Sequence, residues 1–355
     1  MTGNDQGQAE GQAIYIGVDV HRNSWHATIR TQARVLHSET MPPQWTALQQ
    51  VLDRYGAARC SVAYEAGYFG YGLNDAVIAH GAQCLVTPPS LMPQESGNRV
   101  KTDKRDSDKM ARLLARGDLK AVWVPPAPLR HDRSVLRHRS QLIGARTRIQ
   151  LQIKSHLYFH NMPFGPHTGK WSTRFVQSLR ALEWEAPYLA ATFGVMLDHY
   201  EFLNAQVLAA TKALRAMSNL PRYRERFLLL RSIPGVGLLT AMEVLLEIGD
   251  MSRFSNAEKL AAYAGLTPSQ HSSGDKIRLG HITGVGKNNL RGTLTEAAWT
   301  LIKKDGVMAE KYNRIKARAG GKKAIVAVAH NLLLRIRRIL LDGVPYSTGV
   351  LASNV

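Results

Sequence analysis

The sequence predicts an α/β region followed by long helical stretches. Three short segments rich in β-branched residues precede residue 41, and strand and helix patterns then alternate as far as residue 125. Alternation of this kind predicts a mixed sheet with helices packed against its faces. From residue 128 apolar residues recur mainly at helical spacing. The predicted fold class is therefore α/β plus α.

The elements of the first region follow from side-chain periodicity and from the turn residues between them. AIYIGVDV (13–20) is a β-branched strand, and SWHATIR (24–30) and residues 33–40 alternate like two further strands. PQWTALQQVLDRYG (43–56) has apolar residues on one helical face and ends in glycine. The remaining predicted elements are a strand at 60–65, a helix at 71–81, a strand at 83–87, a helix at 102–117 and an edge strand at 121–125.

The helical part divides at two changes of composition. An Arg-rich helical stretch covers about 128–160, and prolines and glycines between 163 and 169 interrupt it before helices resume. A third, mostly helical unit with a glycine-rich centre follows from about 227. We therefore expect three domains, which cover residues 13–127, 128–226 and 227–345.

Length and composition exclude several classes of protein. The chain has 355 residues, of which 45% are apolar and 21% charged, values ordinary for a globular protein and unlike a disordered chain or a fibre. No apolar run approaches the ~20 residues of a membrane span, and the polar N-terminus lacks a secretory pattern, so we expect cytoplasmic residence. Cys60 and Cys84 are too few for a disulfide framework or a four-ligand zinc site and are expected to be buried thiols.

Basic charge is concentrated in two stretches. Lys and Arg number 46 against 27 acids, a net charge of +19, and residues 128–160 and 276–338 contribute +6 and +12 of it. A charge spread evenly for solubility would not cluster in this way, so a nucleic-acid partner is expected. The candidate nucleic-acid contacts in these stretches are Arg137, Arg139, Arg146, Arg148, Lys154, Lys276, Arg278, Lys287 and Arg291.

Four carboxylates are placed where they could hold metal ions. Asp19 and Glu65 end predicted strands, and Asp103 and Asp106 open a helix on the stripe that continues through Met110 and Leu113. That stripe faces the sheet and brings the helix acids toward the strand ends. Acids converging in this way favour hard divalent ions, two of which can clamp the oxygens of a phosphodiester. The alternative is that the helix acids only complement the helix dipole and that the strand-end acids are exposed.

Residues beside these carboxylates have less definite assignments. Asp108 points off the stripe and is interpreted as a solvent-facing acid or as a group supporting the site. His21 follows Asp19 by two residues, so it shares that face and either lines the site or serves packing or the surface.

Two further motifs lie in the third unit. Ile-Pro-Gly-Val-Gly places Gly235 and Gly237 between apolar helices, where glycine lets a phosphate approach backbone N–H groups in the manner of a helix–hairpin–helix; a tight turn between packed helices is the alternative. Ser272 and Ser273 precede Gly274 in a predicted polar loop with cations beyond it. A serine there could attack phosphorus, although Ser-Ser-Gly is also an ordinary loop sequence.

Eight short motifs, taken in their order along the chain, resemble the DEDD-type transposases of insertion-sequence family 110 over residues 13–340. They are GVDVH, YEAG, PPSL, RVKTDKRDSD, VWVP, IPGVG, AAYAGLTP and SSG. The resemblance implies an RNase H-like (RuvC-like) first domain, a helical, coiled-coil linker that mediates assembly, and a helical C-terminal transposase domain. It carries the family's acids onto Asp19, Glu65, Asp103 and Asp106, and its nucleophile onto Ser273, with Ser272 adjacent.

The same resemblance implies what the chain does. It implies a bacterial enzyme that acts at the nucleoid, excising and inserting a mobile element with Mg²⁺, two ions per site, and a serine–DNA covalent intermediate. The implied partners are a structured guide RNA encoded by the element and further copies of the chain. These copies form a homo-oligomer, dimer or tetramer, with a site shared between subunits. Residue chemistry leaves two alternatives, an RNase H-like nuclease that uses water and a non-catalytic nucleic-acid-binding protein.

Overall fold

The computed structural model describes residues 11–92, 102–162, 170–273 and 276–347, with side chains from 270 to 279 outside that description. It divides into two compact units that meet in sequence at Val124 and Pro125. In the first unit the strands are β1 (Ile14–Val20), β2 (Trp25–Arg30), β3 (Val35–Met41), β4 (Cys60–Glu65) and β5 (Gln83–Thr87). Its α-helices are α1 (Trp45–Tyr55), α2 (Gly72–Ala79) and α3 (Asp103–Arg116).

The five strands form one mixed sheet in the order β3-β2-β1-β4-β5. β1 pairs antiparallel with β2 and parallel with β4, and β5 continues the parallel half. The hairpin strands β1 to β3 are joined by short turns, whereas each parallel strand is reached through a helix, as parallel pairing requires. The mixed α/β sheet predicted from the sequence is confirmed.

The two faces of the sheet carry different side chains because strand residues alternate. Ile14, Ile16 and Val18 of β1 are buried in the apolar core that α1 and α2 share. The alternate positions Gly17 and Asp19 face α3 instead. The prediction that the acids of β1 and α3 occur on one side of the sheet is therefore consistent with the packing of the unit.

The predicted edge strand at 121–125 does not form. Residues 118–126 have no regular structure, although Val122 N donates one hydrogen bond of 2.8 Å to Val86 O of β5. Pro125 and Pro126 follow directly and have no N–H to extend a ladder. The apolar alternation of this segment thus produces an extended connection and not a sixth strand.

The second unit is mainly helical. Its α-helices are α4 (Ala127–Phe159), α5 (Thr173–Arg180), α6 (Pro187–Ser218), α7 (Pro221–Arg231), α8 (Leu238–Glu243), α9 (Ala257–Tyr263), α10 (Asn288–Leu301), α11 (Gly306–Ala319) and α12 (Gly321–Asp342). A π-helical turn, Val244–Ile248, continues α8. One apolar core joins α4 and α6 with α5, and another is built around α12. No helix in the described ranges is long and apolar enough to cross a membrane.

The predicted serine loop is a β-hairpin in the structure. Strand β6 (Pro268–Ser273) pairs antiparallel with β7 (Lys276–Ile282), and Ser273 lies opposite Lys276 in the register. Ser272 and Ser273 thus end a strand and do not lie in a loop, and Gly274 lies outside the described residues. The polar sequence PSQHSS was interpreted as a loop because it has none of the β-branched or aromatic residues enriched in strands, and the pairing with β7 overrides that local composition.

Candidate metal-binding active site

Asp19 lies at the carboxyl end of the central strand β1. Val18 pairs with Tyr64 of the parallel strand β4, so Asp19 and Glu65 come next at the same edge of the sheet. Asp19 is only 7% exposed, whereas about half of the nearby His21 side chain is accessible. The backbone N–H of His21 donates a 3.2 Å hydrogen bond to Ser24 O, which closes the turn to β2 and fixes the start of the loop.

Helix α3 is preceded by an N-cap residue, Thr102, that fixes where the helix begins. Thr102 has extended backbone angles, and its hydroxyl accepts a hydrogen bond from Arg105 N, as an N-cap residue does. Asp103 and Asp106 therefore fall in the first turn, where the positive end of the helix dipole favours carboxylates. The first turn presents both acids at the same end of the sheet as Asp19.

Two contacts hold α3 flat against the strands. A Cβ on Gly17 would lie 2.1 Å from Ser107 O and 2.5 Å from Ala111 N, so the helix backbone passes directly over β1. Beside it, buried Ser107 and Thr28 of β2 are joined by a hydroxyl–hydroxyl hydrogen bond of 2.7 Å. The absence of a side chain at Gly17 therefore determines how close α3 and its acids come to β1.

Asp19, His21 and Asp103 come together at this edge. His21 Nε2 lies 3.1 Å from Asp19 Oδ2 and 3.7 Å from Asp103 Oδ1. Among the described residues, these three are the His, Cys, Asp or Glu side chains whose ligand atoms all lie within 4.8 Å of one another. The structure thus brings together two of the four predicted acids and adds the histidine that sequence reasoning left undecided.

The electrostatics of Asp19 reflect this crowding. Burial raises the pKa of its carboxyl, the hydrogen bond and charge of His21 lower it, and the charges of Asp103 and Asp106 raise it further. The net pKa lies above the ordinary value for aspartate. A cation among these groups would relieve both the burial of the charge and the repulsion between the acids, so the side chains present fit a divalent ion.

The other predicted acids lie close by. Glu65 is half-buried at the end of β4, and Asp106 is half-buried in the first turn of α3 and near enough to act on the pKa of Asp19. Neither belongs to the group of three. Asp108 is turned toward Arg30, whose Nη1 lies 3.9 Å from its Oδ1. Its separation from the stripe agrees with the sequence prediction.

Three of the predicted nucleic-acid contacts on α4 have partners inside the second unit. Arg137 forms a two-pronged pair with buried Glu247, with Nε 3.0 Å from Oε1. Arg139 Nε donates to Thr211 Oγ1, and Arg146 Nη1 donates to Asn204 Oδ1, both at 2.8 Å. Sequence reasoning could not find these partners because they lie 58 to 110 positions away.

The remaining predicted basic contacts vary in accessibility. Arg148 is exposed and Lys154 is half-buried. Lys287 Nζ lies 3.6 Å from Glu247 Oε2, and Arg291 Nη1 donates to Gly265 O at 3.3 Å. The side chains of Lys276 and Arg278, like those of Ser272 and Ser273, lie outside the described part of the structure.

The glycine turn between α7 and α8 packs against another helix. Gly235 has φ +91°, and a Cβ there would lie 2.5 Å from Ala297 O of α10. Gly237 precedes the first residue of α8, and Arg231 Nη1 donates to Val236 O at 3.0 Å between the two glycines. Close packing against α10 therefore explains why residue 235 is a glycine, which is the alternative that the sequence left open. Contact of this turn with phosphate stays a prediction.

A close contact between two glycines, Gly265 and Gly286, closes the base of the serine hairpin. A Cβ on Gly286 would lie 2.7 Å from Gly265 N and 2.7 Å from Ala262 O, so the chain after β7 touches the chain before β6. Lys287 N donates to Tyr263 O at 2.9 Å, and Tyr263 OH donates to Glu247 O at 2.7 Å. The hairpin that carries Ser273 is thereby tied to the π-helical turn.

A groove of about 960 Å³ with five cationic and three acidic side chains lies between α11, α12 and the start of α9. The cations are Lys311, Arg314, Arg335, Arg337 and Arg338, and the acids are Glu258, Glu310 and Asp342. Arg335 is paired with buried Asp305, and Arg338 with Asp342. Burial, together with the charges of Arg314 and Arg335, lowers the pKa of Lys311, which an anion in the groove would reverse. The sequence does contain a signal for this groove. Lys311 and Arg314 are three residues apart on α11, and Arg335 and Arg338 are three residues apart on α12, so each pair lies on one helical face.

Acids that converge from a strand end and a helix start, together with a strongly basic helical unit, are typical of enzymes that act on nucleic acids with divalent metal ions. Residues 16–162 match the family model for DEDD transposases of IS110, described as Transposase. Residues 228–313 match the model described as Transposase IS116/IS110/IS902 family. The chain belongs to the IS110 family of DNA transposases, which are recombinase enzymes.

Three relatives illustrate the range of the similarity. A protein of Sinorhizobium fredii named as a transposase is 32% identical over 239 residues, which cover 67% of this chain and 57% of that protein. The transposase for insertion sequence element IS1533 of Leptospira borgpetersenii is 25% identical over 349 residues, 92% of this chain and 95% of its own. The pilin gene-inverting protein of Moraxella bovis is 26% identical over 302 residues, 79% of this chain and 80% of its own.

Proposed function

We propose that this chain excises and inserts a mobile insertion sequence by metal-dependent cleavage and rejoining of DNA strands. The observation that carries the proposal is the convergence of Asp19 and Asp103 at one edge of the sheet. Relatives named for an insertion element and for gene inversion support the same kind of reaction, a rearrangement of DNA. In this proposal the first unit is an RNase H-like (RuvC-like) catalytic domain.

The proposed metal is Mg²⁺, two ions per site, held by Asp19, Glu65, Asp103 and Asp106. When bound, the ions supply positive charge beside the scissile phosphate. The protein's part is to fix the acids: the Thr102 cap sets the start of α3, and the contact at Gly17 sets its height above β1. Because the acids repel one another without a cation, the folded chain presents an environment ready for one.

The proposed nucleophile is Ser273. Its Oγ would form a bond to phosphorus while the alcohol of the broken strand leaves with a proton, and the reverse attack by another strand's alcohol would release the serine. A covalent serine–DNA link conserves the energy of the phosphodiester, so rejoining needs no ATP. The position opposite Lys276 in the hairpin register is consistent with a cation beside the developing charge.

The proposed nucleic-acid partners are the element's DNA ends, the target DNA and a structured guide RNA encoded by the element. The net charge of +19, concentrated in the second unit, supports a large polyanionic partner. The groove that contains Lys311 and Arg314 adds a concave surface to the candidates named from the sequence. Accessible Arg148 on α4 offers a further contact.

We also propose a homo-oligomer, dimer or tetramer, that assembles through α4 and α6. Large apolar side chains are exposed at seven-residue intervals on both helices, and these are Leu151 and Tyr158 on α4 and Tyr188, Val195 and Phe202 on α6. Seven residues is the repeat at which helices pair along an apolar seam. The proposal includes a site shared between subunits, with Ser273 of one copy serving the acids of another, which the resemblance to the family implies.

The test uses the full chain expressed with its native flanking DNA and purified with any bound RNA. With end-labelled element DNA and Mg²⁺, the wild type is expected to give a covalent protein–DNA adduct that survives denaturing electrophoresis. Ser273→Ala should abolish the adduct, whereas the matched variant Ser272→Ala should retain it. An adduct of normal yield from Ser273→Ala would refute the assignment of the nucleophile.

The metal site is tested by a second matched pair. Asp103→Asn should abolish strand transfer in Mg²⁺, and Asp108→Asn, five residues farther along α3 and paired with Arg30, should retain it. Nicked products without an adduct in the wild type would favour the water-using nuclease instead. Binding of DNA without any turnover would favour the non-catalytic alternative. If sequencing showed that the bound RNA is a mixture of cellular species, the proposal of a guide RNA would be refuted.

A further inference from the structure

His21 stands between the two aspartates of the candidate metal site. Its Nε2 lies 3.1 Å from Asp19 Oδ2 and 3.7 Å from Asp103 Oδ1, and about half of its side chain is exposed. The ring thus lies at the open edge of the site, and the nitrogen nearest the acids is directed at both of them. The turn hydrogen bond from His21 N to Ser24 O holds the backbone from which the ring projects.

A second histidine in the neighbourhood has a different environment. His26 lies opposite Asp19 in the β1–β2 register. Its Nδ1 is hydrogen-bonded to Thr40 Oγ1 at 2.8 Å and its Nε2 to Ser38 Oγ at 2.9 Å. Both of its ring nitrogens are therefore occupied by hydroxyl groups of β3. Of these two histidines, only His21 directs a nitrogen at carboxylates alone.

We propose that His21 is a direct ligand of a metal ion in this site, binding through Nε2 together with carboxylate oxygens of Asp19 and Asp103. The inference rests on the proposed metal-dependent function and adds a nitrogen ligand to its set of acids. Neighbouring ligand atoms of an octahedral ion bound at about 2.1 Å lie about 3 Å apart. The 3.1 Å separation of His21 Nε2 and Asp19 Oδ2 agrees with that spacing. The neutral ring would carry its proton on Nδ1 and present the Nε2 lone pair to the ion.

A nitrogen ligand changes which ions the site prefers. Mg²⁺ is a hard ion that takes oxygen ligands almost exclusively, whereas first-row transition ions also accept imidazole. With His21 in the ligand set, Mn²⁺ is bound more tightly than Mg²⁺. Removing the imidazole lowers the affinity for Mn²⁺ by about tenfold or more and changes that for Mg²⁺ much less.

The test reads the metal itself and needs no DNA. Mn²⁺ is titrated into the purified full chain, bound ion is counted by electron paramagnetic resonance, and electron spin-echo modulation detects a coordinated nitrogen. The wild type should show nitrogen modulation from bound Mn²⁺. His21→Gln should lose it and bind Mn²⁺ about tenfold more weakly, while the control His26→Gln should retain the modulation.

The outcomes separate this inference from the proposed function. Bound Mn²⁺ without nitrogen modulation in the wild type, or modulation that persists in His21→Gln, would overturn the role of His21 and leave the acid site standing. A wild type that binds no Mn²⁺ would overturn both. Circular dichroism of each variant checks that the half-exposed ring has been replaced without loss of the fold.

Discussion

Replacing Gly17 with alanine is expected to dislodge α3 and, with it, half of the metal site. The new Cβ would lie 2.1 Å from Ser107 O and 2.5 Å from Ala111 N, where ordinary contacts begin at 3.4 Å. These are backbone atoms, so no side-chain rotation can relieve the contact, and the helix must move away by about 1 Å. Overpacking of this size costs about 1–3 kcal/mol in the free energy of unfolding.

The same movement separates the ligands. Asp103 moves with α3, so its distance from His21 Nε2, now 3.7 Å, grows as the helix retreats from β1. Loss of ligand placement of this kind lowers metal affinity by about 10–100-fold. Gly17→Ala should therefore be less stable in urea unfolding and should bind Mn²⁺ more weakly than the wild type.

Gly72→Ala is the matched control. Gly72 opens α2 in the same unit, and a Cβ there has no atom within 4 Å. Alanine is the better helix former, so this variant should be at least as stable as the wild type. If Gly17→Ala unfolds at the same urea concentration as Gly72→Ala and binds Mn²⁺ equally well, the account of α3 as a helix seated by Gly17 is wrong.

Two further predictions concern the second unit. Gly286→Ala should lower stability by about 1–3 kcal/mol more than Gly284→Ala, because both positions have positive φ but only Gly286 meets backbone atoms at 2.7 Å; equal urea midpoints would contradict this. Burial raises the pKa of Glu247, but the hydrogen bond and charge of Arg137, together with the charges of Lys287 and Arg133, outweigh it and the net pKa is lowered. The stabilisation from this carboxylate is therefore present above the unfolded pKa and is lost as pH falls through the folded value. Arg137→Gln should therefore destabilise most at pH 7, with the difference from the wild type shrinking below about pH 4, and a pH-independent difference in urea unfolding would refute the pairing.

Local patterns were sufficient to predict the sheet and the two acids that meet. Apolar alternation in 13–20 and the helical stripe from Asp103 to Leu113 each fix which face of an element is buried, and burial of those faces leaves the acids on the shared edge. The strand predicted at 121–125 failed because a strand needs a ladder as well as alternation. Prolines at its end removed the donors that a ladder requires.

Other features depended on residues far apart in sequence. The role of Arg137 is set by Glu247, and the hairpin of Ser273 by pairing across a turn and by Gly286 against Gly265. His21 could be placed on the face of Asp19 from spacing alone, yet its distance to Asp103 depends on how closely α3 approaches β1. That approach is permitted by a glycine whose contact lies 90 positions away and cannot be inferred from local periodicity.

The N-cap at Thr102 has a consequence for how the metal site can be lost. The cap sets where α3 begins, and the close approach at Gly17 sets how near the helix lies to β1. Neither residue is acidic, yet together they determine the distance between Asp19 and the acids of the first turn. Substitutions at these two neutral positions can thus disable the site while every carboxylate is still present.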